Sequence, residues 1–149
     1  MNGRSFPLFD RWSQDENTKI CGFDIDGVLN LYPDPWVDYL NKQLQENFQD
    51  LNEAKEQISY TAYKDLKWAY RESGIKATLE VRPGAKEVLE RLKSMEYDIL
   101  ILTSRPFAQH PSLFKQTVDW LDLRELPYDG IIFGDDKYVR ILTYLSSPK

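Results

Sequence analysis

The sequence predicts an α/β fold, a parallel Rossmann-like sheet flanked by helices, with a small helical cap inserted after the first strand. Three observations carry that expectation. Short apolar runs at 19–25, 98–103 and 130–133 alternate with helical patterns, the order of β-α-β units. The run Ile99-Leu100-Ile101-Leu102 has no polar alternation, as expected of a strand covered on both faces. Residues 30–80 read as helices placed between the first two strands.

The elements follow in order. Residues 1–18 are polar and are expected to form a flexible leader, so that 19–149 makes one core domain. Lys19–Ile25 is the first strand, closed by Asp26-Gly27. Asp34 is placed to cap a helix with Pro35 at its first position, and Trp36, Leu40, Leu44 and Phe48 recur every four residues, marking one face. Asn52 is a candidate cap for a second helix. A third, near 62–73, ends at Gly74. Arg82-Pro83-Gly84 opens a helix with Val88, Leu89, Leu92 and Met95 inward. Pro111 opens another, carrying Leu113, Phe114, Val118 and Leu121, and 138–146 is expected to form the last helix.

Composition bounds the function. The 149 residues carry a net charge of −5 and a pI near 4.9, so no broad basic footprint exists for a nucleic-acid polymer or a membrane. A small phosphorylated substrate remains open, because a bound divalent cation reverses the sign locally. One cysteine, Cys21, allows no intrachain disulfide and fits a reducing compartment. No apolar run approaches the ~20 residues of a membrane span, and the expected location is cytoplasmic.

In open parallel sheets ligands bind beyond the carboxyl ends of the strands. Those ends carry Asp24-Ile25-Asp26-Gly27, Thr103-Ser104-Arg105 and Gly134-Asp135-Asp136-Lys137, all suited to phosphate or metal chemistry. Asp24 and Asp26, two apart on a strand, project to one side. Their repulsion calls for a cation, and Mg2+ suits a few hard oxygens completed by water and phosphate. A pair of solvated loop aspartates is the bland alternative. A calcium loop is excluded, since Gly27-Val28-Leu29 supplies neither the third oxygen nor the glycine where it is needed.

Phe23-Asp24-Ile25-Asp26-Gly27-Val28-Leu29 resembles the first signature of the haloacid dehalogenase superfamily, and Ile101-Leu102-Thr103-Ser104-Arg105-Pro106 is similar to the second. The resemblance runs from Lys19 to the carboxyl end, with the helical insert in the place of the family's cap. It implies that Asp24 attacks phosphorus to form an aspartyl-phosphate, and that Asp26 protonates the leaving oxygen and then activates water. Thr103 would hydrogen-bond the phosphoryl group, and Asp24 and Asp26 would hold Mg2+. Strand order makes Lys137 the family's lysine and Lys115 a solvated helix residue. The family's fourth strand and acidic pair are not found before Lys149. A truncated chain, a degenerate member, and a partner strand or homo-oligomer at the open edge beside Asp24 are the three expectations, with Asp135 or Asp136 as substitute ligands.

The function implied is a magnesium-dependent phosphatase acting on a small phosphomonoester, nucleotides included, as in the family's 5′-nucleotidases. The alternatives are a non-catalytic binding or assembly module and a phosphotransferase. Among Trp36, Tyr39, Tyr60, Tyr63, Trp68 and Tyr70, most are expected to pack the cap against itself, leaving one or two to stack on a base. His110 is expected at the surface or as a cap, Cys21 in the core, and Arg105 either on phosphate or in a surface ion pair.

Overall fold

The computed structural model describes residues 19–134. Three parallel strands, β1 (Lys19–Phe23), β2 (Tyr97–Thr103) and β3 (Gly130–Phe133), lie in the order β1-β2-β3. Among the described residues five helices flank them: α1 (Asp34–Leu44), α2 (Leu51–Gln57), α3 (Tyr60–Glu72), α4 (Ala85–Ser94) and α5 (Ser112–Leu123), with a 3-10 turn at Ile75–Ala77. The α/β expectation holds. Among the described residues β1 has one neighbour, β2. The expected leader and the helix at 138–146 lie outside the described residues, as do Asp135, Asp136 and Lys137.

β2 and β3 are buried on both faces, which explains the unbroken apolar run of β2, while β1 is only partly covered among the described residues. One face joins Ile99, Ile101, Ile131 and Phe133 to Leu89 of α4 and to Trp120 and Leu121 of α5. The other gathers Leu100, Leu102 and Ile132, with Ile20 alongside. Burying each such side chain stabilises the fold by about 1.5–3 kcal/mol.

The helical insert leaves the core at Asn30 and returns at Val81, where the two residues form an antiparallel bridge. It has a core of its own, made by Trp36, Val37, Leu40, Phe48, Ala54 and Tyr70. Tyr39, Tyr63 and Tyr70 all contact the Trp36 ring, so the cap aromatics mostly pack against one another, as expected. Trp120 Nε1 and Arg124 Nη2 donate to the Leu79 carbonyl. Those bonds fix the exit of the insert against α5.

Several local expectations are corrected. β1 stops at Phe23 rather than Ile25, because the Ile25 carbonyl accepts from the amides of Val28, Leu29 and Asn30 and starts a turn. Asp34 lies inside α1, which begins after Pro33 without a side-chain cap. The helix ends at Gln45 in the left-handed region, so Leu44 is exposed while Phe48 is held by both amide atoms of Asn41. Asp50, not Asn52, caps α2, and Ser59 caps α3 two residues earlier than expected. Val88 and Met95 are exposed.

Candidate active site

The carboxyl ends of β1 and β2 open on a cavity of about 190 Å³. From the core, Asp24, Asp26, Ser104 and Arg105 line it; from the insert come Tyr32, Lys67, Arg71 and Lys76. Asp24 and Asp26 therefore share one cavity, though not through strand pleating, since both lie in the turn beyond β1. Gly27 has φ +84°, a left-handed conformation that costs other residues about 1–2 kcal/mol.

Asn30 organises this turn. It is wholly buried, its Oδ1 accepts from the amides of Gly27 (3.1 Å) and Tyr32 (3.0 Å), and its Nδ2 donates to Asp26 Oδ1 at 3.0 Å. Asp24 Oδ1 accepts from the Ile25 amide at 2.8 Å.

Arg105 is the second organiser, and it is neither a surface residue nor a surface ion pair. Its side chain is 1% exposed. Nε donates to Asp26 Oδ2 at 3.0 Å and Nη2 to Oδ1 at 2.9 Å, a two-point pairing, while Nη1 donates to Thr117 Oγ1 at 2.9 Å. Lys76 approaches Asp26 to 3.7 Å. Burial by itself would raise the Asp26 carboxyl; the Arg105 charge and hydrogen bonds, with Lys76 and Asn30, outweigh it and hold the group well below the usual carboxylate range. Asp26 is thus ionised beside Arg105 and Lys76.

Thr103 ends β2, is 1% exposed, and its Oγ1 accepts from the Arg105 amide at 3.2 Å. Ser104, its neighbour, lines the cavity. Lys115, as expected, is exposed and pairs with Asp119 on its own helix.

The insert side is cationic. Lys67 Nζ donates to Tyr32 Oη at 3.1 Å and lies over the rings of Tyr32 and Trp36. Lys76, 4% exposed, lies against the rings of Tyr32 and Tyr70. Burial, then repulsion from Lys76 and Arg71, lowers Lys67 to about 7. Burial likewise raises Tyr32 to about 12. Of the aromatics, Tyr32 lines this cavity; the six marked in the sequence do not.

His110 is fully buried, against the expectation of a surface or capping role. Its Nδ1 contacts Glu72 Oε2 at the end of α3, and its ring packs 4.1 Å from Trp68. The residue ties insert to core.

Among the described residues no group of three or more His, Cys, Asp and Glu side chains is placed to hold a metal. Both Asp26 oxygens accept hydrogen bonds from Arg105, and one also from Asn30. Asp24, on the cavity wall, offers the hard oxygen, and one or two carboxylates completed by water and substrate phosphate suffice for magnesium. The site fits it on those terms.

Sequence reasoning missed Asn30, Tyr32, Lys67, Arg71 and Lys76. Only Lys67 and Arg71 left a legible trace, sharing a helix face at four-residue spacing.

Among proteins of known name, the chain is similar to the "Putative 5′(3′)-deoxyribonucleotidase" of Chlorobaculum tepidum (strain ATCC 49652 / DSM 12025 / NBRC 103806 / TLS), at 27% identity over 139 residues. The match covers 82% of this chain but 65% of that relative, just under two thirds of its length. No described helix is long and apolar enough to cross a membrane. Residues 18–143, which take in all three strands, the insert and the aspartate turn, match the model for the 5′ nucleotidase, deoxy (Pyrimidine), cytosolic type C protein family, and the chain belongs to that family and so to the haloacid dehalogenase superfamily.

Proposed function

We propose that the chain hydrolyses the phosphate ester of a small nucleotide, with Asp24 as nucleophile. The observation that carries this is the convergence of Asp24, Asp26, Ser104 and Arg105 on one cavity at the carboxyl ends of β1 and β2. The family and the name of the Chlorobaculum relative support a nucleotide as substrate, and the family's cytosolic designation agrees with a cytoplasmic setting.

The chemistry runs in two displacements. An Asp24 carboxylate oxygen attacks phosphorus, the bond to the ester oxygen breaks, and an aspartyl-phosphate forms. Water then attacks phosphorus, the Asp24 bond breaks, and the water proton passes to Asp26, which is a competent base only when its pairing with Arg105 is loosened. Protonating the leaving oxygen in the first step requires Asp26 to gain a proton, which becomes favourable as Arg105 turns from it toward the phosphate. Thr103 braces the Arg105 amide, while Ser104 and Arg105 receive the phosphoryl oxygens. Lys137 completes the proposed set. Magnesium, held by Asp24, would neutralise charge on the transferring group; Asp26 would join it only by releasing Arg105.

Phosphate release from a panel of 5′- and 3′-nucleoside monophosphates, with magnesium or with a chelator, tests this. Turnover that needs magnesium and disappears in Asp24→Asn is the expected outcome. Full turnover in that variant rules the mechanism out, and no turnover on any ester favours a binding module.

A further inference from the structure

We propose that the helical insert itself holds the substrate's phosphoryl group, with Lys67 and Arg71 of α3 and Lys76 of the following turn forming an anion cradle opposite Asp24 and Arg105. This rests on the reading that the cavity receives a phosphomonoester.

Charge balance is the first argument. Four cationic side chains line the cavity against two carboxylates, and Asp26 is already paired with Arg105 and Lys76. Among the described residues Lys67 and Arg71 form no salt bridge. Like charges one helical turn apart destabilise a helix slightly, and gathering a third beside them in a half-buried cavity adds to the repulsion. An anion relieves it. Lys67 is lowered first by burial and then by the repulsion of Lys76 and Arg71, and a bound anion would offset the second of these.

Placement is the second. Lys67 is fixed by the Tyr32 hydroxyl and two aromatic faces, and Lys76 is packed against two rings with almost no exposure. Cation-π contacts of this kind orient an ammonium without neutralising it. The group is preorganised, so little is lost on binding.

Size is the third. A cavity of about 190 Å³ lies below the roughly 300–1,000 Å³ of pockets for drug-sized ligands. It suits a phosphate, with the nucleoside extending through the mouth. With cations from the insert and Arg105 from the core, one phosphate would bridge both.

The test titrates the full chain with inorganic phosphate in magnesium-free buffer by calorimetry. Lys67→Met and Arg71→Met should each weaken phosphate roughly ten- to hundredfold, the range for losing a charge-assisted hydrogen bond. Lys67→Arg should restore affinity, and Lys64→Met, the same charge change at an exposed position of α3 that does not line the cavity, should leave it unaltered. Circular dichroism melts verify folding, and the Lys67→Arg arm keeps the comparison valid if Lys67→Met unfolds. Affinity unchanged in both loss variants, or lost equally in Lys64→Met, overturns the cradle. Asp24→Asn separates the two proposals: it should lose turnover yet still bind phosphate. Surviving turnover would defeat the mechanism while the phosphate arm still judges the cradle.

Discussion

Replacing Arg105 by methionine should destabilise the protein through Asp26 more than through lost packing. Arg105 donates two hydrogen bonds to Asp26 and one to Thr117 from a side chain that is 1% exposed. Removing one partner of a buried ion pair costs about 3–5 kcal/mol. Asp26 keeps Asn30 and Lys76, and its side chain is 22% exposed, so the lower end, about 3 kcal/mol, is expected. At this chain length that lowers Tm by about 6–12 °C. The pH dependence is equally specific. Because the folded Asp26 carboxyl lies well below its ordinary value of 3.8, the unfolded chain binds more protons in that window. The pair's contribution is therefore full above pH 3.8 and is lost as the pH falls further. Thermal melts of wild type and variant at pH 7 and on acidification measure both effects, and the gap should narrow in acid. A variant as stable as wild type at pH 7, or a gap that does not change with acid, would refute the reasoning.

Other consequences follow from neighbouring residues. Asn30→Ala removes a buried side chain that satisfies two amides and Asp26, and should cost about 2–4 kcal/mol by urea denaturation, with a marked fall in kcat. His110→Ala leaves a cavity beneath Trp68 and frees Glu72; a loss of about 2–3 kcal/mol is expected in melts, with faster proteolysis of the insert. Lys67 has an ordinary value of 10.5 and lies near 7 when folded, so the unfolded chain binds more protons between those values. Stability of the ligand-free protein should accordingly gain from Lys67 as pH rises through that window, a gain absent in Lys67→Met melts taken from pH 7 to 10.

β2 and β3 are readable because burial on both faces leaves an uninterrupted apolar run, and the expected bounds of Gly130–Phe133 match the strand. Helix ends were harder. The four-residue period that joined Trp36 to Phe48 passes through Gln45, whose left-handed backbone ends α1, and Phe48 is buried by way of Asn41 instead. Asp24 and Asp26 were legible as a local motif. Arg105 stands out at a strand end, but its burial depends on Thr117 and Asp26, groups brought together by the packing of α5 and the β1 turn. Lys76 reaches Asp26 across fifty residues of sequence, and no local pattern marks that approach. The burial of His110 is hidden from the sequence for the same reason, since its partners Trp68 and Glu72 belong to the insert.

The central claim, that the Asp24 carboxylate takes the phosphoryl group, is tested most directly by quenching a turning-over sample in acid and mapping the phosphorylated peptide by mass spectrometry. The label should sit on the peptide containing Asp24 and be absent from Asp24→Asn. Label on another residue, or steady turnover with the label never found at Asp24, would contradict the account.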